Sequence, residues 1–287
     1  MGKVSGFIRL MRPVNCAMMG FAVFVGAFLA LSASDHQLFN AEWLGMLYGF
    51  VTGFMLTAAS MVINDYYDRA IDAINEPARP IPSGTVSARE ALAFVFVLSA
   101  IGFVFAYLTS YLCLLVAVIS WIVVATYVTV GKRSGLPGNF LVSTCVAIPF
   151  IYGSMIVLNY VPLSVLLFTL MAFLSNTGRE ITKGIVDVTG DKAEGIKTLA
   201  VRHGEKSAAV AAALFYISAV ALTPLTWVLD LVSFWFIPLV LVTDIGLVAC
   251  SVLLLKEPSR ENARKIKKIV LLLFVVGLLA YVVGVLK

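Results

Sequence analysis

The sequence predicts an all-α protein that crosses a membrane many times, and three observations support this fold class. Hydrophobic residues make up 61% of the 287 residues and charged residues only 13%, whereas a soluble domain is about half apolar and about a quarter charged. Apolar runs of about 20 residues, each long enough to cross a hydrocarbon core of about 30 Å as a helix, recur along the chain. These runs are continuous rather than alternating, which favours helices over a β-barrel.

We predict about nine transmembrane helices, each from one continuous apolar run. In chain order they span roughly residues 13–33, 43–64, 90–109, 112–130, 139–158, 162–180, 208–227, 232–255 and 268–286. The first run lacks a small-residue cleavage site, so we expect it to be retained as a span. The four cysteines all fall inside predicted spans without metal-ligand spacing, which predicts buried packing residues: Cys16, Cys113, Cys145 and Cys250.

The positions of the basic residues predict the topology. Every Lys and Arg except Lys287 lies in the N-terminal tail or in the loops and helix ends that follow the even-numbered spans. The connections TSY, NYVP and LDLVS carry none. The positive-inside rule therefore predicts a protein of the cell membrane whose basic face is cytoplasmic. This topology, together with attraction to anionic headgroups, accounts for the net charge of +5. No motif indicates nucleic-acid binding.

Acidic residues at the end of the second span indicate a functional site. In NDYYDRAID, residues 64–72, helical spacing stacks Asn64, Asp68 and Asp72 at i, i+4 and i+8, and Asp65 lies about 100° from Asn64. Carboxylates this close repel one another, and the membrane boundary screens that repulsion poorly. A divalent cation would relieve the repulsion, although acidic residues at the end of a span are often only solvated.

A second polar stripe follows the sixth span, in SNTGREITKGIVDVTGD, residues 175–191. A continuous helix would place Asn176, Glu180, Lys183 and Asp191 within about 40° of Asp187. The repeated placement of acidic clusters predicts one membrane domain, residues 1–287, with two related four-helix halves. The halves would span about 13–130 and 139–255, with a ninth helix at 268–286.

The chemistry of both clusters favours magnesium. No Cys or His accompanies the carboxylates, and oxygen ligands alone suit a hard cation such as Mg²⁺. Because Mg²⁺ is commonly shared between one or two protein carboxylates and phosphate oxygens, a diphosphate is the expected third component.

These motifs resemble those of the UbiA superfamily of intramembrane prenyltransferases. NDYYDRAID matches its N-D-x-x-D-x-x-x-D motif and DVTGD its second motif, D-x-x-x-D. The segments RPVN, RPIPSG, TYVTVGKRSGLPGN and TLAVRHG also resemble the family's neighbouring segments, in the same order. One departure is Gly184, which follows Lys183 where many members carry an Asp.

The resemblance implies a helical bundle around a central cavity that opens to lipid and has a cytoplasmic cap. It also implies a prenyl diphosphate donor and two Mg²⁺ ions. No obligate protein partner is evident from the sequence. By family position, the expected metal ligands are Asn64, Asp68, Asp72, Asp187 and Asp191. The expected catalytic residues are Asp65, Tyr127 and Lys183, and the expected substrate-binding residues are Asn15, Arg79, Lys132, Asn139, Glu180 and Arg202. Alternatively, Arg79 and Lys132 are topological charges and Tyr127 is an interfacial anchor.

The archaeal, ether-lipid-forming branch of the superfamily resembles this chain most, which predicts a lipid-like phosphorylated acceptor, geranylgeranylglyceryl phosphate. The chain has more cations near the site than the donor diphosphate alone requires, which agrees with a phosphorylated acceptor. These cations are Lys132, Arg133, Lys197, Arg202 and Lys206. One alternative is prenylation of an aromatic acceptor such as 4-hydroxybenzoate. Another is an ion-coupled transporter, whose site would be expected near the membrane midplane rather than at one end.

Overall fold

The computed structural model describes residues 2–34, 40–193 and 195–285, and this part of the chain is helical throughout its regular elements. In order, the helices are α1 (Lys3–Met11), α2 (Pro13–Ser32), α3 (Asn40–Asn75), α4 (Ala88–Thr109), α5 (Tyr111–Thr129), α6 (Leu136–Val157), α7 (Leu163–Val186), α8 (Val188–Ala193), α9 (Leu199–Val228), α10 (Phe236–Lys256) and α11 (Arg260–Val285). A short 3₁₀ turn, Gly131–Arg133, joins α5 to α6.

The predicted all-α, multi-pass membrane fold is confirmed. Among the described residues, eight helices are long and apolar enough to cross a membrane: α2, α3, α4, α5, α6, α9, α10 and α11. Helix α7 occupies the position of the remaining predicted span, 162–180, but is not one of the eight. Its sequence becomes polar from Ser175 onward, which lowers its mean hydropathy. The count of nine spans stays a prediction, as do the cytoplasmic cap and the division into two halves.

Three helices extend well beyond the predicted spans. Helix α3 continues to Asn75 rather than ending at residue 64, and α11 begins at Arg260 rather than at 268. Hydropathy marks only the lipid-exposed length, whereas backbone hydrogen bonds continue the helix beyond the hydrocarbon core. Helix α9 begins at Leu199 rather than at 208, and Gly204 interrupts it with a φ of 83°. The predicted start thus lies just after this kink.

Contacts between helix ends show that the basic segments meet at one end of the bundle. Lys3, in α1, forms a salt bridge with Glu90 in the first turn of α4. The backbone N–H of Lys197, before α9, donates to the carbonyl of Arg133 after α5. We call this the basic end. At the opposite end, the Ser164 hydroxyl of α7 donates to the Leu29 carbonyl of α2.

Small residues let α2 and α6 pack closely in the middle of the bundle. A Cβ atom at Gly26 would lie 2.2 Å from the carbonyl oxygen of Phe150, and one at Gly153 would lie 2.1 Å from that of Val23. Only glycine permits this approach, as at close helix crossings in membranes generally. The crossing holds α2 against α6, which in turn packs against α7, the helix that leads to the second acidic motif.

Candidate active site

The first acidic motif lies on the last turns of α3 and is nearly buried. The side chains of Asp65, Asp68 and Asp72 belong to residues that are only 4%, 8% and 6% exposed. Their spacing of three and four residues places them along one side of the helix. The amide nitrogen of Asn64 donates to an oxygen of Asp68 at 3.0 Å. Helix α3 therefore concentrates negative charge at the basic end.

Cations from two other segments neutralise these carboxylates. Arg79, in the loop after α3, contacts Asp72 at 2.6 Å and Asp65 at 3.5 Å. Lys132, in the turn after α5, forms a salt bridge with Asp68. Burial disfavours the charged form of Arg79, but the carboxylates of Asp65 and Asp72 outweigh this effect and raise its pKa. Arg79 and Lys132, two of the three cations predicted to bind substrate, thus contact the first acidic motif directly.

Arg12 is a member of this cluster that the sequence analysis missed. Its guanidinium donates to Asp65 at 2.7 Å. Arg12 lies between α1 and α2 with a φ of 52°, a left-handed conformation that is uncommon for residues other than glycine. The segment RPVN did mark this position, but only Asn15 was selected from it. The pairing depends on a helix break that no periodicity in the sequence reveals.

The second motif departs from the predicted continuous stripe. Helix α7 ends at Val186, Asp187 caps it, and Asp191 lies on the separate short helix α8. The prediction that one helix aligns Asp191 with Asn176 is therefore wrong, because the backbone leaves helical geometry at Asp187, with φ −99° and ψ 6°. Asp187 and Asp191 are both half-buried.

Upstream, the polar residues of α7 are engaged with one another and with α6. The amide of Asn176 is buried and donates to the Ser143 hydroxyl at 3.1 Å. Glu180 accepts from Lys183 and from Arg179, both at 3.3 Å. The bond to Ser143 directs the amide nitrogen of Asn176 toward α6, which the predicted stripe did not anticipate.

Tyr127, the predicted catalytic aromatic residue, lies on α5. It is half-buried near the end of α5. Its hydroxyl lies within electrostatic range of Lys183 and Glu180 on α7 and of Asp68 on α3. An aromatic ring between two charged clusters is suitably placed to face a substrate cation, although its predicted catalytic role stays a prediction.

Three predicted substrate-binding residues lie at the first turns of their helices, at the basic end. Asn15 is exposed on α2, Arg202 is exposed on α9, and Asn139 is half-buried on α6. The backbone carbonyl of Asn139 accepts from the Ser143 hydroxyl at 2.8 Å. Their side-chain roles stay predictions.

An apolar chamber of about 150 Å³ lies inside the bundle, between α2, α6, α7, α9, α10 and α11. Rings of Phe150, Phe168 and Tyr281 line it, and Phe168 contacts the other two at centroid distances of 4.6 and 4.0 Å. Asp244 also lines the chamber and accepts from the Thr223 hydroxyl at 2.6 Å. The chamber is suited to a hydrocarbon chain.

Comparison with known proteins identifies the family. Residues 19–284 match the sequence profile described as the UbiA prenyltransferase family. The chain belongs to the UbiA prenyltransferase family. It is therefore an intramembrane prenyltransferase, as the motifs predicted.

Two UbiA relatives match over nearly the whole chain. A protein of Natronomonas pharaonis named digeranylgeranylglyceryl phosphate synthase is 36% identical over 265 residues, which cover 92% of each chain. A solved structure concerned with digeranylgeranylglyceryl phosphate synthase in membranes superposes with a TM-score of 0.82 at 32% identity, covering 100% of both chains.

A second solved structure, of a UbiA homolog, shares the fold at greater sequence distance. It is a UbiA homolog from Archaeoglobus fulgidus bound to GPP and Mg²⁺, and it superposes with a TM-score of 0.63 at 17% identity. The alignment covers 96% of this chain and 99% of that one.

The donor atoms of this UbiA site suit Mg²⁺ shared with a substrate. In the described ranges, no three Asp, Glu, His or Cys side chains form a group that could hold a metal by themselves. A complete protein cage is not required, because Mg²⁺ is usually held by one or two carboxylates together with phosphate oxygens. The buried carboxylates of Asp68 and Asp72 supply hard oxygen donors, and the adjacent Lys132 and Arg79 supply charge for a diphosphate.

Proposed function

We propose that this UbiA prenyltransferase transfers a geranylgeranyl group from geranylgeranyl diphosphate to the free hydroxyl of geranylgeranylglyceryl phosphate. The product is digeranylgeranylglyceryl phosphate, a precursor of archaeal ether lipids. The observation that carries the proposal is the near full-length similarity to a protein named for this synthesis, at 36% identity. The surplus of cations at the basic end supports a substrate pair in which both partners carry phosphate.

The two acidic motifs hold the donor at its diphosphate. Asn64, Asp68 and Asp72 from α3, and Asp187 and Asp191 from the end of α7 and from α8, supply the oxygen ligands for Mg²⁺, for which we propose two ions. When bound by these residues, Mg²⁺ would supply positive charge for the departing diphosphate. Lys132, Arg79 and Lys183 add positive charge to the same group.

The apolar chamber holds the prenyl chain while the diphosphate stays at the basic end. The bond between the allylic carbon and the diphosphate oxygen breaks, and its electron pair leaves with the diphosphate. The hydroxyl oxygen of the acceptor forms the new bond to that carbon and releases its proton, which the departing diphosphate accepts. Tyr127 presents its ring to the positive charge on the allylic group.

The basic end faces the cytoplasm in this proposal, as the positive-inside rule predicts. Both substrates then reach the site from the side on which cytosolic or membrane-bound enzymes would make them. The donor's hydrocarbon chain enters from the bilayer.

Acceptor competition tests the proposal. The purified full chain in lipid nanodiscs receives geranylgeranyl diphosphate with geranylgeranylglyceryl phosphate and 4-hydroxybenzoate together, and mass spectrometry identifies the products. We expect the ether-linked lipid to dominate and its formation to stop when EDTA removes Mg²⁺. A C-prenylated phenol as the main product would contradict the proposed acceptor.

A further inference from the structure

A second cavity, distinct from the apolar chamber, lies beside the first acidic motif at the basic end. Its volume is about 230 Å³, and its lining combines charged, aromatic and apolar side chains. The lining residues are Tyr67, Asp68, Val128, Thr129, Lys132, Arg133 and Ile196. Below we call it the Arg133 cavity. Helices α3 and α5, the turn after α5 and the loop before α9 enclose it.

Close backbone contacts fix the two segments that form the outer walls. A Cβ atom at Gly135, which has a φ of +79°, would lie 2.2 Å from the carbonyl oxygen of Lys197. The N–H of Ile196 donates to the carbonyl of Asp191 at 2.8 Å, and Ile196 itself is buried. These contacts tie the turn after α5 to the segment that follows the second acidic motif. The cavity walls are therefore held in place by the backbone rather than by side chains alone.

The charges in the cavity are not balanced. Asp68 contributes one carboxylate, and the ammonium group of Lys132 forms a salt bridge with it. Arg133 lines the same cavity and is exposed. Within the described residues, 2–34, 40–193 and 195–285, its guanidinium makes no hydrogen bond or ion pair. The cavity thus carries one positive charge beyond what its own carboxylate neutralises. A guanidinium that is not paired with a carboxylate is suited to binding a phosphate through two parallel hydrogen bonds.

The other lining residues match a phosphorylated glycerol lipid. Over the same described ranges, no hydrogen bond of the Tyr67 hydroxyl is recorded, so it is available as a donor. Val128 and Ile196 provide an apolar wall for glycerol carbons and the first part of a hydrocarbon chain. A free inorganic anion would make no use of this apolar wall.

The position of the cavity distinguishes an acceptor from a donor. Arg12, Arg79 and Lys132 are all paired with carboxylates of the first motif, where the donor diphosphate is proposed to bind. Arg133 is paired with none of them and lies one residue beyond Lys132. In geranylgeranylglyceryl phosphate, only a few covalent bonds separate the phosphate from the reactive hydroxyl. The acceptor phosphate must therefore bind next to the donor site, and the Arg133 cavity shares Asp68 and Lys132 with that site.

We infer that the Arg133 cavity binds the phosphate group of the acceptor, through the guanidinium of Arg133 and the hydroxyl of Tyr67. This inference rests on the proposed function and adds a subsite to it. It also separates the cations that were grouped together in the sequence analysis. Lys197, Arg202 and Lys206 do not line this cavity, whereas Arg133 does.

Steady-state kinetics of Arg133→Gln tests the assignment. Removing the guanidinium should raise the KM for geranylgeranylglyceryl phosphate about 10-fold or more, because charged hydrogen bonds to phosphate are lost. The KM for geranylgeranyl diphosphate should stay within about twofold of the wild-type value. Arg133→Lys keeps the positive charge but loses the planar guanidinium that can form two parallel hydrogen bonds. Its KM for geranylgeranylglyceryl phosphate should lie between the wild-type and Arg133→Gln values. Arg264→Gln, which removes an exposed arginine from α11, should change neither KM.

A dephosphorylated acceptor distinguishes phosphate binding from a structural role. Wild type should prefer geranylgeranylglyceryl phosphate strongly over geranylgeranylglycerol, and Arg133→Gln should lose most of that preference. If Arg133→Gln raises the KM of both acceptors equally, or raises only the KM of the donor, the cavity does not bind the acceptor phosphate. If wild type forms no ether product from either acceptor, the proposed function itself fails, and this subsite fails with it. Normal acceptor kinetics in Arg133→Gln would overturn the subsite alone.

Discussion

The guanidinium of Arg12 donates to the carboxylate of Asp65 at 2.7 Å and joins the break between α1 and α2 to the acidic motif of α3. Asp65 is nearly buried, and the second cation in contact with it is Arg79 at 3.5 Å. A buried carboxylate that loses its partner keeps its desolvation cost without the compensating attraction. Arg12 therefore stabilises both the helix break and the site.

We expect Arg12→Gln to destabilise the folded protein by about 1 kcal/mol, a moderate loss because the Arg12 side chain is 38% exposed. Thermal unfolding of the detergent-solubilised protein measures the change. In a double-mutant cycle, adding Asp65→Asn should recover part of the loss, since the amide needs no counter-charge. If Arg12→Gln costs the same stability with and without the Asp65→Asn substitution, the ion pair has no energetic role.

Neutralising one carboxylate in either acidic motif should abolish turnover. Asp68→Asn and Asp187→Asn each remove a charged metal ligand, and we expect activity to fall by at least about 100-fold, with only partial recovery at high Mg²⁺. Both variants should remain folded in the membrane. Glu261→Gln, at an exposed ion pair on α11, is the matched control. Near-normal activity of either aspartate variant at low Mg²⁺ would refute the two-motif site.

The close crossing of α2 and α6 predicts an unusual effect of alanine. In an ordinary helix, Gly→Ala is stabilising by up to about 1 kcal/mol. In Gly153→Ala, the new methyl group would meet the Val23 carbonyl at 2.1 Å, so we expect a loss of about 1–3 kcal/mol. Gly190→Ala, whose added Cβ meets nothing within 4 Å, is the control for thermal unfolding. A stabilised Gly153→Ala would contradict this packing.

Cysteine labelling tests the predicted orientation. In a variant whose four native cysteines are replaced by serine or alanine, Tyr160→Cys should react with an impermeant maleimide added outside the cell. Lys192→Cys should react only after the membrane is permeabilised. Both positions are exposed, and they lie at opposite ends of the bundle. Labelling of both positions on intact cells would exclude the alternating topology.

Much of the fold was predictable because its signals are local. Continuous apolar runs located the spans, since a lipid-exposed helix must be apolar over its full length. The same rule predicted the positions of helix ends poorly. Helix α3 continues to Asn75, beyond the hydrocarbon core, where hydropathy no longer indicates whether the chain is helical. It also missed α1, whose nine residues are too few for an apolar run of transmembrane length.

The candidate site was predictable in part. The spacing of Asp65, Asp68 and Asp72 correctly indicated that they lie on one side of a helix. The equivalent reasoning was wrong for Asp191, because helical periodicity holds only while the helix continues and α7 ends at Val186. Arg12 was missed because its importance depends on a partner 53 residues away.

By itself, the sequence determined the helical membrane fold, the family and the clustering of acidic residues at helix ends. Hydropathy and residue spacing express these features, since each depends on neighbours along one helix. Only the tertiary structure decided which cation pairs with which carboxylate. It also placed Arg133 beside a cavity, where its guanidinium forms no ion pair within the described parts of the chain. Such pairings depend on which helix ends meet across the bundle, and packing between distant segments sets that arrangement.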